Sequence, residues 1–286
     1  MPPGLFPPAS LTNPPQVVTE LMKAAPGIFS DAAAAKRFLQ LIYFPASRHW
    51  RYQLNGKSGN TFTLNLLFEL EFGGPFTCRL NDTDNQHPDF ALFQLPAARL
   101  MENAIGAEDT IDAVLHFPGL SIATVRNPFS RAVSGFRYLC RSHEIGDRRF
   151  LSERIRLNAL EGFDWDKDPH SPRGFNKFLD YLGRMAETEG PDKIDPHWLS
   201  QQLHIRPDLY KPDLIGRTEN LAPFAKELAE RLDHPLPDLS RLKSNRTKKV
   251  SGSLFLYDDP AAIRKVRSLY AEDFIIFGYD PDHPAY

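Results

Sequence analysis

The stretch TVRNPFSRAVSGF, residues 124–136, decides the fold. It starts within an apolar, β-branched run, residues 120–125, that predicts a buried strand. Asn127 suits the cap of a following helix, and Pro128 suits the first turn of that helix. The sequence therefore predicts a strand that ends at Arg126 and leads directly into a helix.

The polar side chains of this stretch suit an anion. Arg126 stands at the end of the predicted strand, and Arg131 and Ser134 are three residues apart, so that both share one face of the helix. The helix N-terminus adds partial positive charge and unpaired N–H groups. A plain helix start that carries two surface arginines is the alternative interpretation.

A second segment suited to phosphate is NGKSGNT, residues 55–61. It lies between a predicted strand at 48–54 and a strongly apolar helix at 62–72, an order that directs backbone N–H groups towards phosphate oxygens. The segment is not a Walker A loop, because that motif requires glycine where this chain has Arg51. Most loops of this composition are simple turns, which is the alternative here.

Together the two segments resemble those of the sulfotransferases that use 3′-phosphoadenosine 5′-phosphosulfate (PAPS). The first is similar to the motif Arg-Asn/Asp-Pro-x-x-Arg-x-x-Ser-x-aromatic, which grips the 3′-phosphate of the donor in that family; it ends here at Phe136. The second resembles the 5′-phosphosulfate loop Pro-Lys-x-Gly/Ala-x-Thr/Ser, although Asn55 and Gly56 replace the usual residues before the lysine. The resemblance implies PAPS as co-substrate, bound by Lys57, Ser58, Gly59, Asn60, Thr61, Arg126, Arg131, Ser134 and Arg246.

Shorter matches extend the resemblance in patches from about residue 48 to 280. They are a His-Trp-x-x-Gln element at 197–201, a Gly-Arg-x-Glu-Asn-Leu element at 216–221, an Asn-x-Thr type loop at 245–247 and a Tyr-x-x-Asp-Phe-x-x-Phe-Gly-Tyr ending at 270–279. The resemblance implies that the third of these covers the nucleotide, with a tethering surface loop as the alternative. We expect the aromatics of the ending to lie in the core.

The chemistry of sulfuryl transfer resembles phosphoryl transfer: the group moves in line between two oxygens, and catalysis is mainly positioning and charge stabilisation. Lys57 is the residue we expect to stabilise the leaving phosphate oxygen. A histidine is the usual base for an acceptor hydroxyl. The candidates are His116, expected at the end of a strand ahead of Arg126, then His197, and His87 as a third. No cluster has metal-ligand spacing, and this transfer needs no metal.

Alternating strands and helices predict an α/β fold similar to P-loop NTPases, with a central parallel sheet flanked by helices. We expect a Pro-rich arm and N-terminal helices in residues 1–45, and a single sulfotransferase domain in 46–286 with a helical, acceptor-binding insert at 142–212. Trp165 and Trp198 of that insert either stack on an acceptor or pack inward. Helices are expected at 31–44, 97–105, 175–185, 221–232 and 260–270, and a strand at 76–80.

Composition limits the class of protein. The 286 residues carry a net charge of −2, which gives no general basic field for nucleic acid. Cys78 and Cys140 are too few for a disulfide framework and favour a reducing compartment. No apolar run approaches a membrane span, and the first residues lack the pattern of a signal peptide. We therefore expect a soluble, cytoplasmic enzyme of bacterial type, without the Golgi anchor of many animal glycan sulfotransferases.

The function predicted from the sequence is PAPS-dependent transfer of a sulfuryl group to a hydroxyl of a glycan or small molecule, an enzyme of the EC 2.8.2 type. A P-loop-type kinase, which would use the same Lys57 loop with Mg²⁺, is the alternative, and a non-catalytic nucleotide-binding protein is a third. The arginines of residues 137–156 form either a basic rim for an anionic acceptor or a solvated helix face. The sequence specifies neither the acceptor nor the oligomeric state.

Overall fold

The computed structural model describes residues 13–78, 88–107, 110–242, 254–282 and 284. The candidate residues His87 and Arg246, and the loop at 245–247, lie outside this part of the chain. The helices are α1 Pro14–Ala24, α2 Ala32–Gln40, α3 Asn60–Phe72, α4 Thr110–Leu115, α5 Pro128–Glu144, α6 Leu151–Glu161, α7 Pro172–Thr188, α8 Gln201–Ile205, α9 Pro207–Tyr210, α10 Leu221–Arg231, α11 Pro260–Leu269 and α12 Ala271–Phe277. The strands are β1 Ile42–Pro45, β2 Trp50–Gln53, β3 Met101–Asn103, β4 Leu120–Val125 and β5 Leu214–Arg217.

The chain divides into two compact units, which we describe separately. The first takes the described residues of Met1–Val125 and Leu203–Asn245, and it contains all five strands. The second takes those of Arg126–Gln202 and Arg246–Tyr286, and its regular structure, as far as the structure describes it, is helical.

The sheet of the first unit has the strand order β3-β1-β2-β4-β5. β2, β4 and β5 are parallel, whereas β1 pairs antiparallel with both β2 and β3. The α/β class is therefore confirmed, with the correction that the sheet is mixed. The physical reason is the four-residue link between β1 and β2, since neighbouring strands joined by so short a link must run antiparallel.

Of the predicted helices, one is too long and another is wrong. The helix expected at 31–44 ends at Gln40, and the chain then enters β1. The helix expected at 97–105 is replaced by β3 and a 3₁₀ turn, Ala104–Gly106. The strand expected at 76–80 is absent from its described part, residues 76–78. Short apolar runs fit a buried strand as well as a helix, so periodicity alone does not separate the two.

A buried arginine of the sheet connects several elements of the first unit. Arg51 of β2 donates from Nη2 to the carbonyl of Tyr210, and from Nη1 to the carbonyls of Ala113 and Val114. Its Nε donates to Ser121 of β4. Burial lowers the pKa of Arg51, yet all three of its side-chain nitrogens donate hydrogen bonds, so the charge is tolerated where a lone cation would be costly. Position 51, which excludes a Walker A loop, thus has a structural role.

Aromatic rings build the core of the second unit. Phe136 of α5 lies 5.4 Å from the ring of Phe175 and 5.5 Å from that of Phe178, both on α7. Tilted and edge-on ring pairs at such distances add stabilisation beyond the apolar area that they bury. Phe274 and Phe277 of the closing helix are buried, which confirms the core role predicted for them.

Gly216 of β5 provides a test of packing in the first unit. A Cβ atom built at this position would lie 2.7 Å from the ring of buried Phe224 on α10. We expect Gly216→Ala to lower the free energy of unfolding by about 1–3 kcal/mol, because the ring has to move from its packed position. Gly183→Ala in α7, where nothing lies within 4 Å of the added atom, is the control and is expected to be neutral or stabilising. Equal unfolding midpoints in denaturant for both variants would contradict this expectation.

Candidate functional site

The Gly-rich loop of the first unit has the backbone of an anion-binding turn. Lys57 adopts a left-handed conformation with φ of 63°, and Gly59 does so with φ of 84°. Left-handed residues on either side of Ser58 are typical of the turns that form phosphate-binding concavities, and the Ser58 N–H donates to the Asn55 carbonyl within the loop. A lysine in the left-handed backbone conformation carries conformational strain of order 1–3 kcal/mol, and such strain is concentrated at sites that clamp ligands.

Glycine is required at position 59 for two reasons. Its φ is positive, and a Cβ atom there would lie 3.0 Å from Cγ2 of Thr218. Thr218 directly follows β5, and its N–H donates to the carbonyl of Val125 at the end of β4. The Gly-Arg-x-Glu-Asn-Leu element therefore packs directly against the loop that precedes α3.

Hydrogen bonds attach this loop to the last residues of β4. Asn55 donates from Nδ2 to the carbonyl of Thr124, and the Tyr52 hydroxyl lies 2.6 Å from Thr124 Oγ1. Asn60 Oδ1 accepts from the Asn55 N–H and from the Tyr52 hydroxyl. The side-chain oxygen of Asn60, a residue predicted to bind the donor, thus stabilises the conformation of the loop.

The segment after β4 folds as its sequence predicts. The Asn127 side chain accepts from the Phe129 N–H, and Pro128 occupies the first turn of α5. Arg126 is half-buried, and its Nε donates to Ser130 Oγ at 2.8 Å. Ser134 is buried one turn further along α5. The predicted junction of strand, cap and helix is confirmed.

Arg131 has a different environment from Arg126. It is only 2% exposed, and its Nη1 donates to the carbonyl of Leu199 at 2.7 Å, while Nη2 donates to that of Pro196 at 3.4 Å. Burial lowers the pKa of Arg131, and the hydroxyl of Tyr270 and the charge of Asp273 oppose that effect. These contacts favour a positioning role for Arg131 within the second unit over direct contact with a phosphate.

The other side of the same segment is held by a carboxylate. Both oxygens of buried Asp273 accept hydrogen bonds: Oδ1 from the Ser200 hydroxyl and the Gln202 N–H, and Oδ2 from the Gln201 N–H. Burial raises the pKa of Asp273, which the charge of Arg131 and the three donors counteract. The three donors and the charge of Arg131 favour the ionised form of Asp273, so the segment lies between a buried carboxylate and a buried guanidinium.

Gln201 is a functional candidate that sequence reasoning missed. Its side chain is fully buried; Oε1 accepts from the Arg126 N–H, and Nε2 donates to the Arg126 carbonyl, both at 2.8 Å. The amide therefore holds the backbone of Arg126 at two points. The His-Trp-x-x-Gln match contained this residue, but nothing in the spacing showed what it contacts.

His197, one of the predicted bases, pairs with a carboxylate. Its Nδ1 lies 2.7 Å from Oδ1 of Asp195, which also accepts the backbone N–H of His197. The ring packs against Tyr138 and Phe150 at centroid distances of 5.2 and 4.9 Å, and the side chain is 35% exposed. A carboxylate at Nδ1 fixes the proton there and leaves Nε2 as the basic nitrogen, the arrangement of a general base.

Comparison with known proteins identifies the family of the chain. A family model described as "Sulfotransferase family" matches residues 56–280. The chain belongs to the sulfotransferase family. A relative is "Carbohydrate sulfotransferase 14" from Danio rerio, which is 26% identical over 160 residues. The match covers 54% of this chain and 42% of that relative, so the chain spans less than half of the relative's length. No solved structure matches the chain.

His116, the other predicted base of this sulfotransferase, lies elsewhere in the first unit. The expectation that it ends a strand is wrong, because it follows α4 and precedes β4. The Lys57 loop follows β2, which is parallel to β4, so His116 lies at the opposite edge of the sheet. A strand of six residues separates these edges by about 20 Å. The placement disfavours His116 as partner of the Lys57 loop.

The aromatics of the predicted acceptor insert are divided between core and surface. Trp198 is buried against Phe150 and Phe178, as the inward-packing alternative has it. Trp165 is half-buried and lies 4.7 Å from the ring of His143. Arg154, one of the arginines of residues 137–156, is buried and donates hydrogen bonds to backbone carbonyls, so it does not belong to an exposed basic rim.

Two further features concern only the residues that the structure describes. Among them, no group of three or more His, Cys, Asp or Glu side chains is arranged to hold a metal ion. In the same ranges, no helix combines the length and the apolar character that crossing a membrane requires.

The environment of Arg131 predicts a large effect on stability. We expect Arg131→Met to lower the free energy of unfolding by about 3–5 kcal/mol, because it leaves the Asp273 carboxylate buried without its counter-charge and two carbonyls without donors. Arg141→Met, at an exposed position of the same helix, is the control and is expected to stay within about 0.5 kcal/mol. Matching denaturation curves for the two variants would remove the structural role of Arg131.

Proposed function

We propose that the chain transfers a sulfuryl group from PAPS to a hydroxyl of a carbohydrate or small-molecule acceptor. Membership in the sulfotransferase family supports the reaction class. The observation that supports PAPS as the donor is the strained loop around Lys57 and Gly59. Its left-handed residues would form a concavity for an anion at the N-terminus of α3.

The proposed donor contacts come from both segments recognised in the sequence. The 5′-phosphosulfate would be bound by Ser58, Gly59 and Thr61, with Lys57 as the cation closest to the leaving oxygen. Arg126 and Ser134 would bind the 3′-phosphate, while Arg131 and Asn60 support the segments on which these residues stand. Arg246, which lies outside the described residues, stays a proposal from the resemblance.

Transfer needs a base and a charge stabiliser. The acceptor oxygen forms a bond to sulfur as the bond from sulfur to the 5′-phosphate oxygen breaks, and 3′,5′-ADP leaves. In this proposal Nε2 of His197 takes the hydroxyl proton, with Asp195 holding the ring and stabilising the imidazolium. Lys57 meets the negative charge that grows on the leaving phosphate.

The name of the Danio rerio relative points to a carbohydrate acceptor, and we extend this to the present chain as part of the proposal. The half-buried rings of Tyr138 and Trp165 and the guanidinium of Arg149, which donates to the Tyr138 hydroxyl, are side chains on which a sugar could stack or hydrogen-bond.

The choice of nucleotide tests the proposal. In a thermal-shift titration we expect 3′,5′-ADP to raise the melting temperature at lower concentration than ATP with Mg²⁺, since only the first carries a 3′-phosphate. A preference for ATP with Mg²⁺ would favour the kinase alternative. Labelled PAPS with a panel of carbohydrate and phenolic acceptors then tests transfer itself.

Lys57 is the residue on which turnover depends most. We expect Lys57→Ala to lower kcat by about 10²–10³-fold, because the leaving oxygen loses the cation that stabilises it. Lys36→Ala, an exposed lysine of α2, is the matched control with unchanged kcat. Initial rates with labelled PAPS measure both, and a kcat close to wild type in Lys57→Ala would refute this role.

The base can be assigned by comparing two histidines. We expect His197→Asn to lower kcat by about 10²–10⁴-fold while the affinity for 3′,5′-ADP stays the same, because the base acts on the acceptor and not on the nucleotide. Asp195→Asn is expected to lower kcat as well and to change the pH dependence of the rate. A loss confined to His116→Asn would reverse the assignment.

A further inference from the structure

The strongest unassigned feature lies within the second unit, around the side chain of Gln201. This amide is fully buried and accepts from the N–H and donates to the C=O of one residue, Arg126. Buried glutamines are uncommon unless both ends of the amide are satisfied, and here the same backbone satisfies both. The two bonds leave the peptide groups on either side of Arg126 little freedom to rotate.

Gln201 is itself held by buried charge. Its backbone N–H donates to Oδ2 of Asp273, and the residues before and after it donate to Oδ1. From the other side Arg131 donates to the carbonyl of Leu199. The Tyr270 hydroxyl donates to the carbonyl of Trp198. The segment that carries Gln201 is thus bound through both its N–H groups and its carbonyls.

We infer that Gln201, braced by Asp273, is a positioning residue that sets the direction of the Arg126 side chain and so determines recognition of the 3′-phosphate. The inference rests on the proposed function, because it gives Arg126 the phosphate as its ligand. It assigns a role in donor affinity to Asp273 of helix α12, which lies 147 positions along the chain from Arg126 and acts through Gln201 rather than on the nucleotide.

The physical basis is the directionality of a charged hydrogen bond. A guanidinium binds phosphate well only when its fork faces the oxygens, and a residue at the junction of strand and helix has no regular structure to fix its backbone. A two-point clamp supplies that restraint before the ligand arrives, which lowers the entropy lost on binding. Loss of the clamp then weakens contact with the 3′-phosphate more than contact with the rest of the nucleotide.

The test compares two nucleotides that differ in the 3′-phosphate alone. Calorimetric dissociation constants for 3′,5′-ADP and 5′-AMP are measured with the wild type and with Gln201→Glu, which keeps the length of the side chain but places a carboxylate oxygen against the Arg126 carbonyl. We expect the preference for 3′,5′-ADP to fall about tenfold, with little change for 5′-AMP. Gln202→Glu puts the same charge one residue along and serves as the electrostatic control.

Failure of the inference and failure of the proposed function give different results in this experiment. A wild type without preference for 3′,5′-ADP overturns the proposed function and the inference together. The inference alone is overturned if Gln201→Glu retains the wild-type preference, or if the preference falls equally in Gln202→Glu. It is also overturned if Gln201→Glu loses affinity equally for both nucleotides, because such a loss indicates a purely structural role. If Gln201→Glu fails to fold, Gln201→Met, similar in length and without either hydrogen bond, gives the same comparison.

Discussion

The backbone of residues 196–202 is held from two sides by buried groups of opposite charge. Arg131 donates hydrogen bonds to carbonyls of this segment, and Asp273 accepts hydrogen bonds from its N–H groups. Each charge is expensive to bury alone, and each is compensated by the peptide dipoles as well as by the other. Because these bonds fix the segment, they also fix the orientations of its side chains. In our account His197 is the base and Gln201 holds the backbone of Arg126, so both roles depend on this constraint.

In the first unit a loop is likewise held in place by hydrogen bonds to neighbouring residues. The conformation of Lys57 is unfavourable for a residue with a Cβ atom, and it persists because Asn55, Asn60 and Tyr52 hold the loop to the end of β4. The strained turn is therefore held by hydrogen bonds within the protein itself. A site built in this way loses little entropy on binding, which suits a reaction that depends on alignment more than on covalent catalysis.

Local patterns were readable from the sequence, and longer-range contacts were not. The strand, cap and helix of residues 120–136 depend on neighbours in the chain, and the structure has them as predicted. The spacing of Arg131 and Ser134 showed that they share a helix face, but it did not show that this face packs inward around Arg131. Gln201 and Asp273 are ordinary residues in a sequence, since their partners lie about 75 positions away. The antiparallel β1 was hidden for a similar reason, because a four-residue apolar run has no period of its own.

The central claim of the proposed function is that one adenosine nucleotide binds to the chain through both its 5′-phosphate and its 3′-phosphate. Phosphorus NMR of 3′,5′-ADP titrated with the protein tests it directly, since the 5′- and 3′-phosphates give separate resonances. The account predicts that both resonances shift and that both saturate at one equivalent of protein. A shift of one resonance alone, or saturation of the two at different ratios, would contradict it.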